Sequence, residues 1–154
     1  MNILIIYDSA YGNTEKIAQA MARALQLDAD KIVLSKEAKI SQLKNLDLLI
    51  IGSPTYAGKP TPTLKEFMAK IPDNYLSKTR VLAFDTAIRY EDKNFFFKNF
   101  IKMLGYAAKH TAKELENKGA KIINVETFFV KDKEGPLEDG EIDRAKDWVK
   151  NNYK

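Results

Sequence analysis

Short apolar runs that do not alternate with polar residues are the strongest constraint on what this chain can fold into. Ile3 to Tyr7, Leu46 to Ile51 and Val81 to Phe84 are each continuously apolar or nearly so. A strand with one wet face alternates, whereas a continuous run belongs to a strand covered on both faces. Two further strands are expected at Lys31 to Leu34 and Ile122 to Val130. Helical spacing fills the intervals. Ile17, Met21, Ala24 and Leu25 recur with that period, as do Leu64, Phe67 and Met68 after Pro60 and Pro62. A longer helix is predicted across Phe96 to Asn117, with Phe97, Phe100, Ile101, Leu104, Ala108 and Leu115 on one face and Lys98, Lys102, Lys109 and Lys113 on a stripe away from it. A last helix is predicted from Asp139 to Lys150, carrying Ile142, Ala145, Trp148 and Val149. Strands alternating with helices imply a doubly wound α/β domain, a parallel sheet between two helical layers. Without a linker, repeat or low-complexity stretch, residues 1–154 read as one domain. Its ligand site is expected at the C-terminal strand ends, where strand order reverses.

Composition narrows the chemistry available there. The chain has no cysteine and one histidine, which excludes thiol catalysis, disulfide redox chemistry and multi-histidine metal sites. Redox activity must therefore come from a bound cofactor. The net charge of +4 arises from lysines spread along the chain, read as a solvated surface rather than a nucleic-acid footprint. Met1 leads into a short apolar run with no basic segment before it, and no stretch approaches the ~20 residues of a membrane span. The expectation is a cytoplasmic protein without membrane insertion, with a monomer as the expected form.

After the first run come Ser9-Ala10-Tyr11-Gly12-Asn13-Thr14-Glu15, and helical spacing then begins at Ile17. A helix N-terminus offers unpaired N–H groups and a partial positive charge, and a tight turn adds more donors, a combination suited to a phosphate dianion. Ser9 and Thr14 add hydroxyls, Asn13 an amide, and Gly12 the freedom to take a positive φ. The plainer alternative is that Asn13 and Thr14 only cap the helix. Neither a Walker loop nor a G-x-G-x-x-G turn is present, and none of the glycines are two apart, so a mononucleotide fits better than a dinucleotide.

Ser9-Ala10-Tyr11-Gly12-Asn13-Thr14 resembles the first loop of the flavodoxin family, Ser/Thr-x-Thr-Gly-Asn-Thr, with Tyr11 in place of the usual threonine. That loop wraps the phosphate of FMN. The resemblance implies a five-stranded parallel sheet of order 2-1-3-4-5 in a three-layer α/β/α sandwich, and FMN as cofactor. Gly52-Ser53-Pro54-Thr55-Tyr56-Ala57-Gly58-Lys59-Pro60 is similar to the second flavin loop of the family. It implies cofactor contacts from Pro54 through Gly58, with Tyr56 on one face of the ring and a backbone carbonyl near Ala57 or Gly58 turning towards flavin N5. Asp85-Thr86-Ala87-Ile88-Arg89-Tyr90 stands where the third loop falls, which makes Asp85, Thr86, Arg89 and Tyr90 cofactor-binding candidates, Tyr90 for the opposite face. The last part, Phe128 to Trp148, has no long insertion, similar to the short-chain branch.

The resemblance implies an electron carrier working between redox partner proteins. An FMN-dependent NAD(P)H:quinone reductase is the alternative, and Lys59 and Arg89 bear on it because a cation near flavin N1 favours the reduced anion. A receiver domain of the same topology needs an aspartate at the end of the third strand, where this chain has Gly52-Ser53. His110 has no nucleophile motif near it and is expected to face solvent.

Overall fold

The computed structural model describes residues 1–89, 94–96, 99 and 105–154. Five strands, β1 (Ile3–Tyr7), β2 (Ile32–Leu34), β3 (Leu48–Pro54), β4 (Arg80–Ile88) and β5 (Lys121–Val130), form one sheet in the order β2-β1-β3-β4-β5. Every neighbouring pair is parallel. The sequence-based order 2-1-3-4-5 is the one observed. Four helices are described: α1 (Asn13–Ala24), α2 (Pro62–Ala69), α3 (Ala107–Asn117) and α4 (Glu141–Asn152). None is long and apolar enough to cross a membrane, among the described residues.

The continuous apolar runs behave as their composition requires. Every residue of β1 is buried, as are the first six of β3, because helices cover both faces of the central strands. β5 and the three-residue β2 are the sheet edges, and both are only partly buried along much of their length. Alternation along the strands divides the core. Leu49, Ile51, Val81 and Ala83 pack with Leu64 and Leu115 on one side. Ile5, Ile50, Leu82 and Phe84 pack with Ile17 and Trp148 on the other. Gly52 is required by this packing, since a Cβ there would come within 2.5 Å of the Phe84 ring. Phe84 in turn meets Phe128 edge-on at 6.3 Å between ring centroids.

Two expectations are corrected. β3 and β4 run beyond their apolar cores, pairing Ser53 with Asp85 and Pro54 with Thr86. Asp85 and Thr86 therefore lie in a strand, not in a loop after it. The expected helix from Phe96 to Asn117 is interrupted before its last part, because Gly105 has φ +74 and Tyr106 is extended at φ −110, ψ 154. α3 starts at Ala107, and its Ala108 and Leu115 are buried as predicted. Phe97, Lys98, Phe100, Ile101, Lys102 and Leu104 lie outside the described residues, as does Tyr90.

Candidate functional site

The strand order reverses between β1 and β3, and the turn leaving β1 lies beside that crevice. Gly12 is the N-cap of α1 with φ +85, a left-handed conformation costly to residues with a side chain. Gly12 itself has no side chain with which to cap α1. Ser9 Oγ accepts from the N–H of Gly12 at 3.1 Å and of Glu15 at 3.4 Å, folding the turn over the helix end. Both contacts use the oxygen, so the Ser9 hydroxyl proton stays available. The Thr14 and Thr86 hydroxyls meet at 2.7 Å, and one proton of that pair is likewise left to donate. The N–H groups of Ala10, Tyr11, Asn13 and Thr14 have no acceptor among the described residues. Unpaired donors at a helix N-terminus, with an electropositive dipole behind them, form an anion cradle.

Asn13 takes a role the sequence did not suggest. Its buried side-chain amide donates to the Glu134 carbonyl at 3.1 Å, tying the first turn to the segment after β5. Gly135 packs against it with φ +100, and a Cβ at Gly135 would lie 2.6 Å from Asn13 Oδ1. Asp8 makes a second tie. Its Oδ2 accepts from the Thr61 hydroxyl at 2.6 Å, while Thr61 N-caps α2 by accepting from the Leu64 N–H.

After β3 the chain folds into a tight turn in which Tyr56 and Lys59 exchange two backbone hydrogen bonds, at 2.8 and 2.9 Å. Ala57 and Gly58 both have positive φ, +46 and +78, the signature of a type I′ turn. The turn presents Tyr56 at the cavity rim, 46% exposed. Thr55 locks its base. The Thr55 hydroxyl donates to Asp85 Oδ2 at 2.5 Å and accepts from the Ala107 N–H at 3.0 Å. Asp85 Oδ2 also accepts from the Ala108 N–H at 3.2 Å. Since Tyr106 provides no side-chain cap, Thr55 and Asp85 satisfy the first donors of α3 from across the fold.

Asp85 is fully buried, and its Oδ1 has no hydrogen bond among the described residues. Burial raises its pKa to about 6. Hydrogen bonding by Thr55 and the proximity of the Thr127 hydroxyl and the α3 N–H groups hold it from rising further.

The cavity draws on four segments. The first turn supplies Ser9, Ala10, Tyr11, Asn13 and Thr14, and the second loop supplies Pro54, Thr55 and Tyr56. β4 contributes Thr86, Ala87 and Ile88, and the end of β5 and its turn add Val130 and Lys133. Nine of the sequence-based candidates thus come together. Gly12, Ala57 and Gly58 shape the adjoining turns. Asp85 lies beneath the cavity, in the sheet. Arg89 is not among the residues described as lining the cavity; it pairs with Glu138 at 2.8 Å and stacks over the Phe129 ring at 3.9 Å. Lys59 lines a separate groove between α2 and α3 with Lys65, Lys113 and the exposed His110. Asp8, Ala87, Ile88, Val130 and Lys133 were missed. The Gly135-Pro136 pair after β5 was the available signal, for it marks a tight turn at the same sheet end as the first loop.

A doubly wound parallel sheet with unpaired helix-terminal donors and an aromatic rim beside its switch point is the arrangement of the doubly wound α/β class, whose ligands sit in that crevice. The family model described as a flavodoxin domain matches residues 4–128, and the chain belongs to that family. Solved structures agree in fold. A flavodoxin from Streptococcus pneumoniae TIGR4 is 19% identical with a TM-score of 0.72, covering 97% of this chain and 96% of its own. Oxidised flavodoxin 1 from Bacillus cereus is 15% identical, with a TM-score of 0.72 and 97% and 95% coverage. Two-electron reduced flavodoxin from Megasphaera elsdenii is 18% identical, with a TM-score of 0.69 and 97% and 98% coverage. No curated protein sequence matches the chain significantly.

Proposed function

We propose that this chain binds FMN and carries electrons between redox partner proteins. The observation that supports it most is the first turn, where four N–H groups without an acceptor among the described residues and the Ser9 and Thr14 hydroxyls lie at one helix N-terminus beside the aromatic rim. In this reading the cradle from Ser9 to Thr14 holds the phosphate, and Thr86 supports it through Thr14. Tyr56 covers one ring face and Tyr90 is the candidate for the opposite one, while Asp85 supports the site from within β4 through Thr55 and Arg89 stands at the end of that strand, paired with Glu138. Bound FMN supplies the redox chemistry that a chain without cysteine lacks. The Ala57–Gly58 and Gly58–Lys59 peptides lie in a turn whose glycine tolerates rotation, so that a carbonyl there is available to accept a hydrogen bond from a protonated flavin N5.

Tyr56→Ala is expected to weaken FMN binding by about 1–3 kcal/mol, through lost burial and lost stacking, and to raise flavin emission by removing a quencher. Fluorescence titration of the variant measures both, and unchanged affinity with unchanged emission would place Tyr56 outside the site.

The carrier reading is tested by dithionite titration of the FMN-loaded protein, followed by absorbance. Two successive one-electron steps are expected, with negligible NAD(P)H-dependent quinone turnover. One two-electron conversion with rapid turnover would make the protein a reductase instead.

A further inference from the structure

We infer that Lys133 is a cationic partner for the cofactor phosphate, delivered to the cradle by the turn after β5. The inference rests on the FMN reading above and adds to it a residue, and a salt dependence, that the first turn alone does not supply.

Lys133 is the only charged side chain lining the cavity among the described residues, and it meets the same cavity as Ser9, Ala10 and Tyr11. It sits on a short, heavily bonded turn. Val130 and Leu137 pair as an antiparallel bridge, and the Lys131 N–H donates to the Pro136 carbonyl at 2.8 Å. The Gly135 N–H donates to the Asp132 carbonyl at 2.9 Å, and the Lys133 N–H donates to Asp132 Oδ1 at 2.7 Å. The Asn13 amide then fastens this turn to the phosphate cradle through the Glu134 carbonyl. The tight fit of Asn13 against Gly135 keeps the two segments in register.

The local charges agree with this role. Lys131 is paired with Asp139 at 3.3 Å, whereas the Lys133 ammonium has no ion pair among the described residues. Asp132 and Glu134 flank it on exposed positions, and Asp132 is occupied with the Lys133 backbone. Glu15, in the first turn of α1, accepts from Tyr7 and Gln19. A phosphate monoester carries close to two negative charges near neutral pH, against roughly half a charge from the helix dipole. A cation held at the cavity edge by a fixed turn offsets part of that excess.

The test compares FMN and riboflavin binding, by flavin fluorescence at low and high sodium chloride, for wild type, Lys133→Met and Lys133→Arg. For Lys133→Met, FMN affinity at low salt is expected to fall by roughly three- to tenfold while riboflavin affinity stays at the wild-type value. The wild-type loss of FMN affinity at high salt should shrink in the same variant, and Lys133→Arg should restore it. Wild-type affinity and salt response in Lys133→Met, or equal losses for both flavins, would overturn the assignment while leaving the cofactor reading intact. Failure of the wild type to bind either flavin would overturn both.

Discussion

Asp85→Asn is expected to make the protein more stable at pH 7.5, by on the order of 1–3 kcal/mol, although it removes a hydrogen-bonded buried carboxylate. The folded pKa of Asp85 is raised from 3.8 to about 6, with burial as the largest cause. A raised carboxyl pKa means that the folded state binds more protons than the unfolded chain between those values. Its contribution is therefore greatest below pH 4, is lost as pH rises through about 6, and is flat above that. At 1.36 kcal/mol per pH unit, the interval from 3.8 to about 6 corresponds to a loss of about 3 kcal/mol. Asparagine keeps an acceptor for the Thr55 hydroxyl and the Ala108 N–H, and places an amide where Oδ1 has no hydrogen bond among the described residues. Urea unfolding of both proteins at pH 4.5, 6 and 7.5 measures the difference, and the comparison cancels the titration of other carboxylates. The gap should open with rising pH. A wild type that is the more stable protein at pH 7.5 would mean that the Thr55–Asp85–α3 clamp favours the charged form.

Gly12→Val is expected to reduce FMN affinity by about ten- to a hundredfold while changing riboflavin affinity little. Gly12 has φ +85, and a β-branched residue held there costs about 1–3 kcal/mol. Space is not the obstacle, since a Cβ at Gly12 meets nothing within 4 Å. The backbone would relieve the strain by leaving the left-handed region, which turns the N–H groups of Ala10 through Thr14 away from a common point. Each charge-assisted hydrogen bond lost contributes about 1.5–3 kcal/mol. The ring site is formed by other segments, so riboflavin, which lacks the phosphate, reports on it separately. Parallel titrations of variant and wild type check this, and equal losses for the two flavins would remove the first turn from phosphate binding.

The sequence showed the sheet most clearly where burial is complete. Ile3 to Tyr7 could be read residue for residue because both of its faces are covered, so no polar position interrupts the run. The ends of β3 and β4 were hidden for the opposite reason: Ser53, Asp85 and Thr86 are polar residues in a buried ladder, and Thr86 and Asp85 Oδ2 bond to partners distant in sequence, Thr14 and Thr55. The break before α3 was available in Gly105, but helical periodicity on either side outweighed one glycine. In the candidate site, local sequence carried the turn from Ser9 to Thr14, since a helix N-terminus is built from neighbours. Lys133 and the Asn13 tie depend on contacts across more than a hundred residues, and only the fold brings those segments together.

The most direct test of the phosphate cradle is a paired titration of the wild-type protein with FMN and riboflavin under one set of conditions. Several charge-assisted hydrogen bonds from the first turn predict that FMN binds at least about a hundredfold more tightly than riboflavin, with FAD weaker than FMN. Equal affinity for FMN and riboflavin, or no binding of FMN, would contradict it.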